Sequence, residues 1–208
     1  MKTLLPKLAA ASALALVIFA APAQAADKGE LLANADRTVT HLKHDPAFAT
    51  AARMMDGARA VYIVPKLVKG GFIFGAEGGA GVLVPRTRGG WGEPKFYDMG
   101  SASFGLQAGL EQAELVFIIN SERALSGIEH GNFKLGAGAG LTVVNLSSGA
   151  EGATTAHGGD IVVWTSGTGA YAGISFNGSV ISPDKDMNAT PTNGPEAQKL
   201  RANLASVR

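Results

Sequence analysis

The chain has 208 residues, with 18 Lys and Arg against 17 Asp and Glu, four His and no Cys. The near-neutral balance excludes a general nucleic-acid binder, which needs a basic excess. The missing cysteine excludes disulfides, thiolate metal sites, a cysteine nucleophile and a cysteine-borne lipid anchor.

Lys2 and Lys7 precede an apolar run from Leu8 to Ala21, and Ala23-Gln24-Ala25 supplies a small-x-small pattern before Ala26. Residues 1–25 therefore read as a signal peptide, because the run is shorter than the roughly 20 residues that span a bilayer. The expected location is the periplasm or the extracellular space, and the chain is not expected to be a lipoprotein. The leader holds two of the 18 basic residues and none of the 17 acidic ones, leaving a formal charge of −1. The remaining length suits one domain, since about 180 residues bury roughly 70% of the unfolded surface.

Helical spacing of Leu31, Leu32, Ala35, Val39 and Leu42, then Asp45-Pro46 as a start signal before Phe48, Ala51, Ala52 and Met55, predicts two short helices joined near His44. Their single apolar stripes read as core faces. From Ala60 to Ile181 the chain is glycine-rich. Val61–Val64, Phe72–Phe74, Val82–Val84, Leu115–Ile119, Leu141–Val144, Ile161–Trp164 and Ile174–Phe176 read as short strands. Ser121 caps an expected helix that interrupts them, and Asn177-Gly178 reads as a tight hairpin turn. Glu111 and Glu114 are expected to precede a strand, and Asp184 and Asp186 to lie in a linker.

Glycine sits inside several strands, at Gly75, Gly79 and Gly81, at Gly100, Gly105 and Gly109, and at Gly136, Gly138 and Gly140. The spacing by two of Gly136, Gly138 and Gly140 leaves one strand face without side chains that something must approach closely. The expected fold is α+β: N-terminal helices packed on a twisted, mainly antiparallel glycine-rich sheet over 26–182. A polar linker and a short C-terminal helix starting at Pro195 follow over 183–208. A transmembrane β-barrel is the structural alternative, disfavoured by strands shorter than the roughly 9–11 residues of a tilted span.

The motifs that carry chemistry are missing. No G-x-S-x-G, P-loop or dinucleotide fingerprint occurs, and His157-Gly158-Gly159-Asp160 reads as a turn before a strand. His41 and His44, three apart, have only Asp45 as a nearby third ligand. The expectation is no catalytic residue, no metal and no cofactor. Basic side chains gather over 59–95, where Arg59, Lys66, Lys69, Arg86, Arg88 and Lys95 face only Glu77 and Glu93. Lys66 and Lys69 stand one helical turn apart after Pro65, and Arg86, Arg88 and Lys95 flank Gly89-Gly90-Trp91-Gly92. Cations near an anionic bilayer contribute about 1 kcal/mol each, and Trp favours the headgroup level. Lys66, Lys69, Arg86, Arg88, Trp91 and Lys95 are thus the expected lipid-binding residues. The competing expectation is a solvated loop with Trp91 folded back on the core.

Three blocks in order carry a family resemblance. Ala58 to Phe72 with Gly75 to Leu83, then Ser103 to Gly109, then Gly169 to Ser179 resemble the SYLF family, whose members are known for lipid and actin binding. The resemblance spans about residues 28–182. For an exported chain, it implies a non-enzymatic protein that associates with anionic phospholipid membranes of the cell envelope. An envelope protein partner is the alternative, and a periplasmic hydrolase a further one.

Overall fold

The computed structural model describes residues 27–71, 74–104, 109–131, 133–135, 143–147, 159–166 and 178–207. Two helices open this part of the chain, α1 (Lys28–Lys43) and α2 (Phe48–Asp56). Asp27 caps α1 by accepting from the amides of Gly29 and Glu30, which satisfies two of the orphan donors at a helix start. The start of α2 differs from the expectation. Its N-cap is Ala47, and the Asp45 carboxylate instead accepts from the Ala47 amide at 2.7 Å, closing the turn that leads into the helix.

Nine strands follow among the described residues: β1 (Ala60–Gly71), β2 (Phe74–Thr87), β3 (Gly90–Trp91), β4 (Lys95–Phe104), β5 (Gly109–Ile119), β6 (Phe133–Lys134), β7 (Val143–Ser147), β8 (Ile161–Thr165) and β9 (Val180–Pro183). Helix α3 (Glu122–Glu129) lies between β5 and β6, capped by the Ser121 hydroxyl on the Ala124 amide as expected. A 3-10 turn (Met187–Ala189) and α4 (Pro195–Ala205), with its proline in the first turn, complete the order.

The strands form one sheet in the order β6-β9-β4-β2-β1-β5-β8-β7, with β3 beside β2. All pairings are antiparallel except β7 with β8. The fold is therefore α+β, as the sequence indicates. Its strands are longer than expected, with 12 residues in β1, 14 in β2, 10 in β4 and 11 in β5. Glycine and small residues hide this length from a pattern search, because a strand whose faces lack β-branched or aromatic side chains shows no alternation. β4 is absent from the expected strands because its apolar part, Phe96, Tyr97 and Met99, is short, interrupted by Asp98 and followed by Gly100-Ser101-Ala102-Ser103. Strand length thus provides no argument against a barrel; the helix layer packed on one face of the sheet does. The expected strands over Phe72–Ile73 and Ile174–Phe176 and the stripe Gly136, Gly138, Gly140 lie outside the described residues. Gly178 is described and has φ +94°, the conformation expected at that turn.

Both faces of the sheet are apolar. Val61, Ile63, Val82, Val84, Phe96, Val116, Ile118 and Trp164 pack beneath α1, α2 and α4. Tyr62, Val64, Leu67, Leu83, Tyr97, Leu115 and Phe117 pack on the other face with Ala124, Leu125 and Ile128 of α3. The period-2 alternation of β1 splits its side chains between these two cores.

α4 is a docked element of the first core: Ala197, Leu200 and Leu204 are buried. Polar side chains fix its position on α1. Asn203 Nδ2 donates to the Asp36 carbonyl at 3.0 Å, to Asp36 Oδ1 at 2.7 Å and to Thr40 Oγ1 at 3.1 Å. Lys43 Nζ donates to the Asn203 carbonyl at 2.9 Å and to Ser206 Oγ at 2.7 Å, and Lys199 Nζ lies 2.9 Å from buried Asp36. Burial pushes the Lys43 ammonium below its ordinary value, against the pull of Asp36.

Candidate functional site

β1 is the spine of the sheet and carries a bulge at Pro65-Lys66. Val64 pairs with Leu115 and Leu67 with Ala113, so two residues of β1 face Glu114 alone. Against β2, the register shifts between Ile63 and Val68. The bulge drives the chain into β2: a Cβ on Gly79 would lie 2.5 Å from the Lys66 carbonyl oxygen and 2.8 Å from Val64 Cγ1. Two residues on, a Cβ on Gly81 would lie 2.5 Å from the buried Tyr62 ring. At Gly79 and Gly81 of β2, the neighbouring strand itself fills the space that a side chain would take.

This geometry separates the six residues expected to meet lipid. Lys66 and Lys69 are on a strand, so the helical-turn spacing between them does not exist. Lys66 is exposed, with no ion pair among the described residues. Lys69 stands in register between Glu77 of β2 and Glu111 of β5. Arg86 is at the opposite end of β2, beyond the Ala60–Pro85 pair, about 30 Å from Lys69 at ~3.3 Å per residue. Its Nη2 donates to the Met55 carbonyl at 2.5 Å, and its guanidinium lies over the Trp91 ring. Trp91 is 7% exposed within the helix-side core, which corrects the expectation of a headgroup anchor and meets the competing one. Lys95 Nζ is 3.5 Å from Glu129 Oε1, and Arg88 is exposed in the β2–β3 turn. The structure brings Arg86 and Trp91 together; it does not assemble the six into one basic patch.

The three histidines among the described residues are tied into the scaffold, and His157 lies outside them. His41 Nδ1 is 2.9 Å from Glu114 Oε2, and Thr38 Oγ1 donates to Glu114 Oε1 at 2.8 Å. His44 Nδ1 is 2.7 Å from the Thr40 carbonyl, and His130 Nδ1 is 2.6 Å from the Ser126 carbonyl. Glu111 and Glu114 are inside β5, not before it. Among the described residues, no three His, Asp or Glu side chains converge as metal ligands, and no helix is long and apolar enough to cross a membrane.

One feature of the sheet escapes the sequence reading. β4, β2, β1 and β5 run together past the bulge to a common end, where Phe74 pairs with Phe104, Gly71 with Gly75 and Gly71 with Gly109. The last charged row across these strands is Ser101, Glu77, Lys69 and Glu111, with Ser101 Oγ donating to buried Glu77 Oε1 at 2.7 Å. Past that row, the sequence over 70–76 and 102–110 contains no charged residue. The signal was present as two charge-free runs, but only strand pairing places them side by side.

A curled, glycine-rich antiparallel sheet with a helix layer on one face defines the class of this domain. A family model described as "Ysc84: Las17-binding protein actin regulator" matches residues 100–198. The chain is 33% identical over 127 residues to Protein YSC84 of Saccharomyces cerevisiae, covering 59% of this chain and 27% of that protein. It is 32% identical over 128 residues to SH3 domain-containing YSC84-like protein 1 of Xenopus laevis, covering 60% and 38%. To the Homo sapiens protein of that name it is 28% identical over 149 residues, covering 70% and 43%. The chain belongs to the SYLF family, and its matches span less than half the length of these relatives. No solved structure matches it.

Proposed function

We propose that this chain is a non-enzymatic, exported protein that associates with phospholipid membranes of the cell envelope. The observation that carries the reading is the shared end of β4, β2, β1 and β5, free of charge beyond the Glu77–Lys69–Glu111 row. A charge-free sheet end backed by an exposed cation, Lys66, suits a surface with an apolar interior and a polar, often anionic, skin. The expected leader over residues 1–25 supports export, and the proposed folded unit begins after it.

A protein ligand is the second reading, favoured by the family description as Las17-binding and by relatives named for that binding, such as LAS seventeen-binding protein 3 of Saccharomyces cerevisiae. Co-sedimentation of the chain from residue 26 onward with phosphatidylcholine vesicles, with and without phosphatidylglycerol, separates the two. Membrane association predicts binding to both, with a preference for the anionic vesicles that Lys66→Glu removes. Recovery of all protein in the supernatant at every lipid concentration would overturn the membrane reading and leave the protein ligand.

A further inference from the structure

We infer that the common end of β4, β2, β1 and β5 is the element that enters the bilayer, down to the Glu77–Lys69–Glu111 row, which stops at the headgroups. The inference rests on the membrane reading above and adds which surface inserts, how deeply, and by what force.

Depth follows from the register. From Glu77 to Phe74 is three residues, about 10 Å at ~3.3 Å per residue, and four strands spaced ~4.8 Å make the end nearly 20 Å broad. An interfacial element buries its apolar face roughly 5–10 Å into the headgroup and acyl boundary, so the charge-free length matches that layer without requiring a span. Unpaired amides and carbonyls are costly in hydrocarbon. Between the four strands the ladders continue to the end, from Gly70 with Ala76 and Leu110 to Phe74 with Phe104, while the outer edges of β4 past Gly100 and of β5 before Glu114 have no strand partner among the described residues, which suits the polar headgroup boundary and not the hydrocarbon centre.

The force is apolar. Lys69 is flanked in register by two carboxylates, Glu77 and Glu111, so the last charged row gives anionic lipid no net attraction. Behind that row, Lys66 and Lys134 are exposed cations among the described residues, Lys134 in register through Val180, Gly100 and Gly78 with Val68. Arg86 and Lys95 are engaged elsewhere on the sheet with Trp91 and Glu129. Insertion is then expected to tolerate salt and to proceed on zwitterionic lipid.

The absence of cysteine permits a direct test on the chain from residue 26 onward. Ala76, exposed on β2 past the charged row, and Arg88, exposed at the opposite end, are each replaced by cysteine and labelled with a polarity-sensitive dye. With phosphatidylcholine vesicles at 0.1 M and 1 M salt, the dye on Ala76→Cys should shift to the blue at both, and the dye on Arg88→Cys should stay water-like. Ala76→Asp, with an unchanged melt, should weaken co-sedimentation by about tenfold or more, as a carboxylate resists transfer toward hydrocarbon. A protein that co-sediments while the dye at 76 stays water-like, or whose Ala76→Asp variant binds like the parent, would overturn the insertion while leaving membrane association intact. Failure of the parent to co-sediment would overturn both.

Discussion

The Arg86 guanidinium lies 4.1 Å from the centroid of the Trp91 ring, and this pair turns a cation that reads as a lipid contact into part of the scaffold. Arg86 also ties β2 to the end of α2 through the Met55 carbonyl. Arg86→Ala removes both contacts and should cost about 1–3 kcal/mol, the combined scale of a partly desolvated cation–π contact and a charged hydrogen bond. Arg88→Ala, exposed in the neighbouring turn, should stay within about 0.5 kcal/mol of the parent. Urea unfolding of both variants checks the contrast; equal losses would mean that the stack contributes nothing.

Adjacent glycines of β2 should respond differently to one methyl group. At Gly79, the added Cβ meets the Lys66 carbonyl at 2.5 Å, a backbone atom held by the bulge; at Gly78, the nearest atom is the Met99 carbonyl at an ordinary 3.5 Å. Gly79→Ala is expected to lose about 1–3 kcal/mol by overpacking, while Gly78→Ala should be near neutral. Thermal melts of the two decide whether the bulge is as closely seated as the register implies.

Asp98 on β4 has its carboxyl pushed above the ordinary carboxylate range, first by burial and then by the charge of Asp184. The folded protein therefore holds this proton more tightly than the unfolded chain does, so stability falls as pH rises from the unfolded value to the raised folded one. Asp98→Asn removes the cost of the charged form. It should melt higher than the parent at pH 7, with the advantage fading as pH falls through the raised folded value and lost below the ordinary aspartate value of about 3.9, where the parent carboxyl becomes protonated in both states. A gain independent of pH would assign the effect to something other than this charge.

The seat of α4 depends on Asn203, whose amide serves Asp36 and Thr40 at once. Asn203→Ala leaves the buried Asp36 carboxylate with Lys199 alone among its side-chain partners described here, and an unsatisfied buried acceptor costs about 1–3 kcal/mol. Hydrogen exchange should show α4 amides losing protection before those of β1 and β5. Uniform loss across the sheet would show that α4 opens only with the whole domain.

The sequence by itself determined the α+β class, the two N-terminal helices, the Ser121 cap, the Pro195 helix start and the apolar centres of β1, β2, β5 and β8. Each rests on local rules, with apolar residues recurring at the period of the element or a capping residue at its end. What only the tertiary structure decided is the continuation of the strands through glycine and alanine, where no alternation exists to read, and the distribution of charge over the sheet. Lys66 and Lys69 share a short stretch of sequence with Arg86, Arg88 and Lys95, yet nearness in sequence does not survive the 14-residue β2, which carries its two ends far apart. Conversely, the runs at 70–76 and 102–110 are distant in the chain and meet because antiparallel pairing sets Phe74 against Phe104 and Gly71 against Gly109. Register is fixed by pairing partners that lie elsewhere in the chain, and so the candidate membrane-facing end became legible only once the strands were in place.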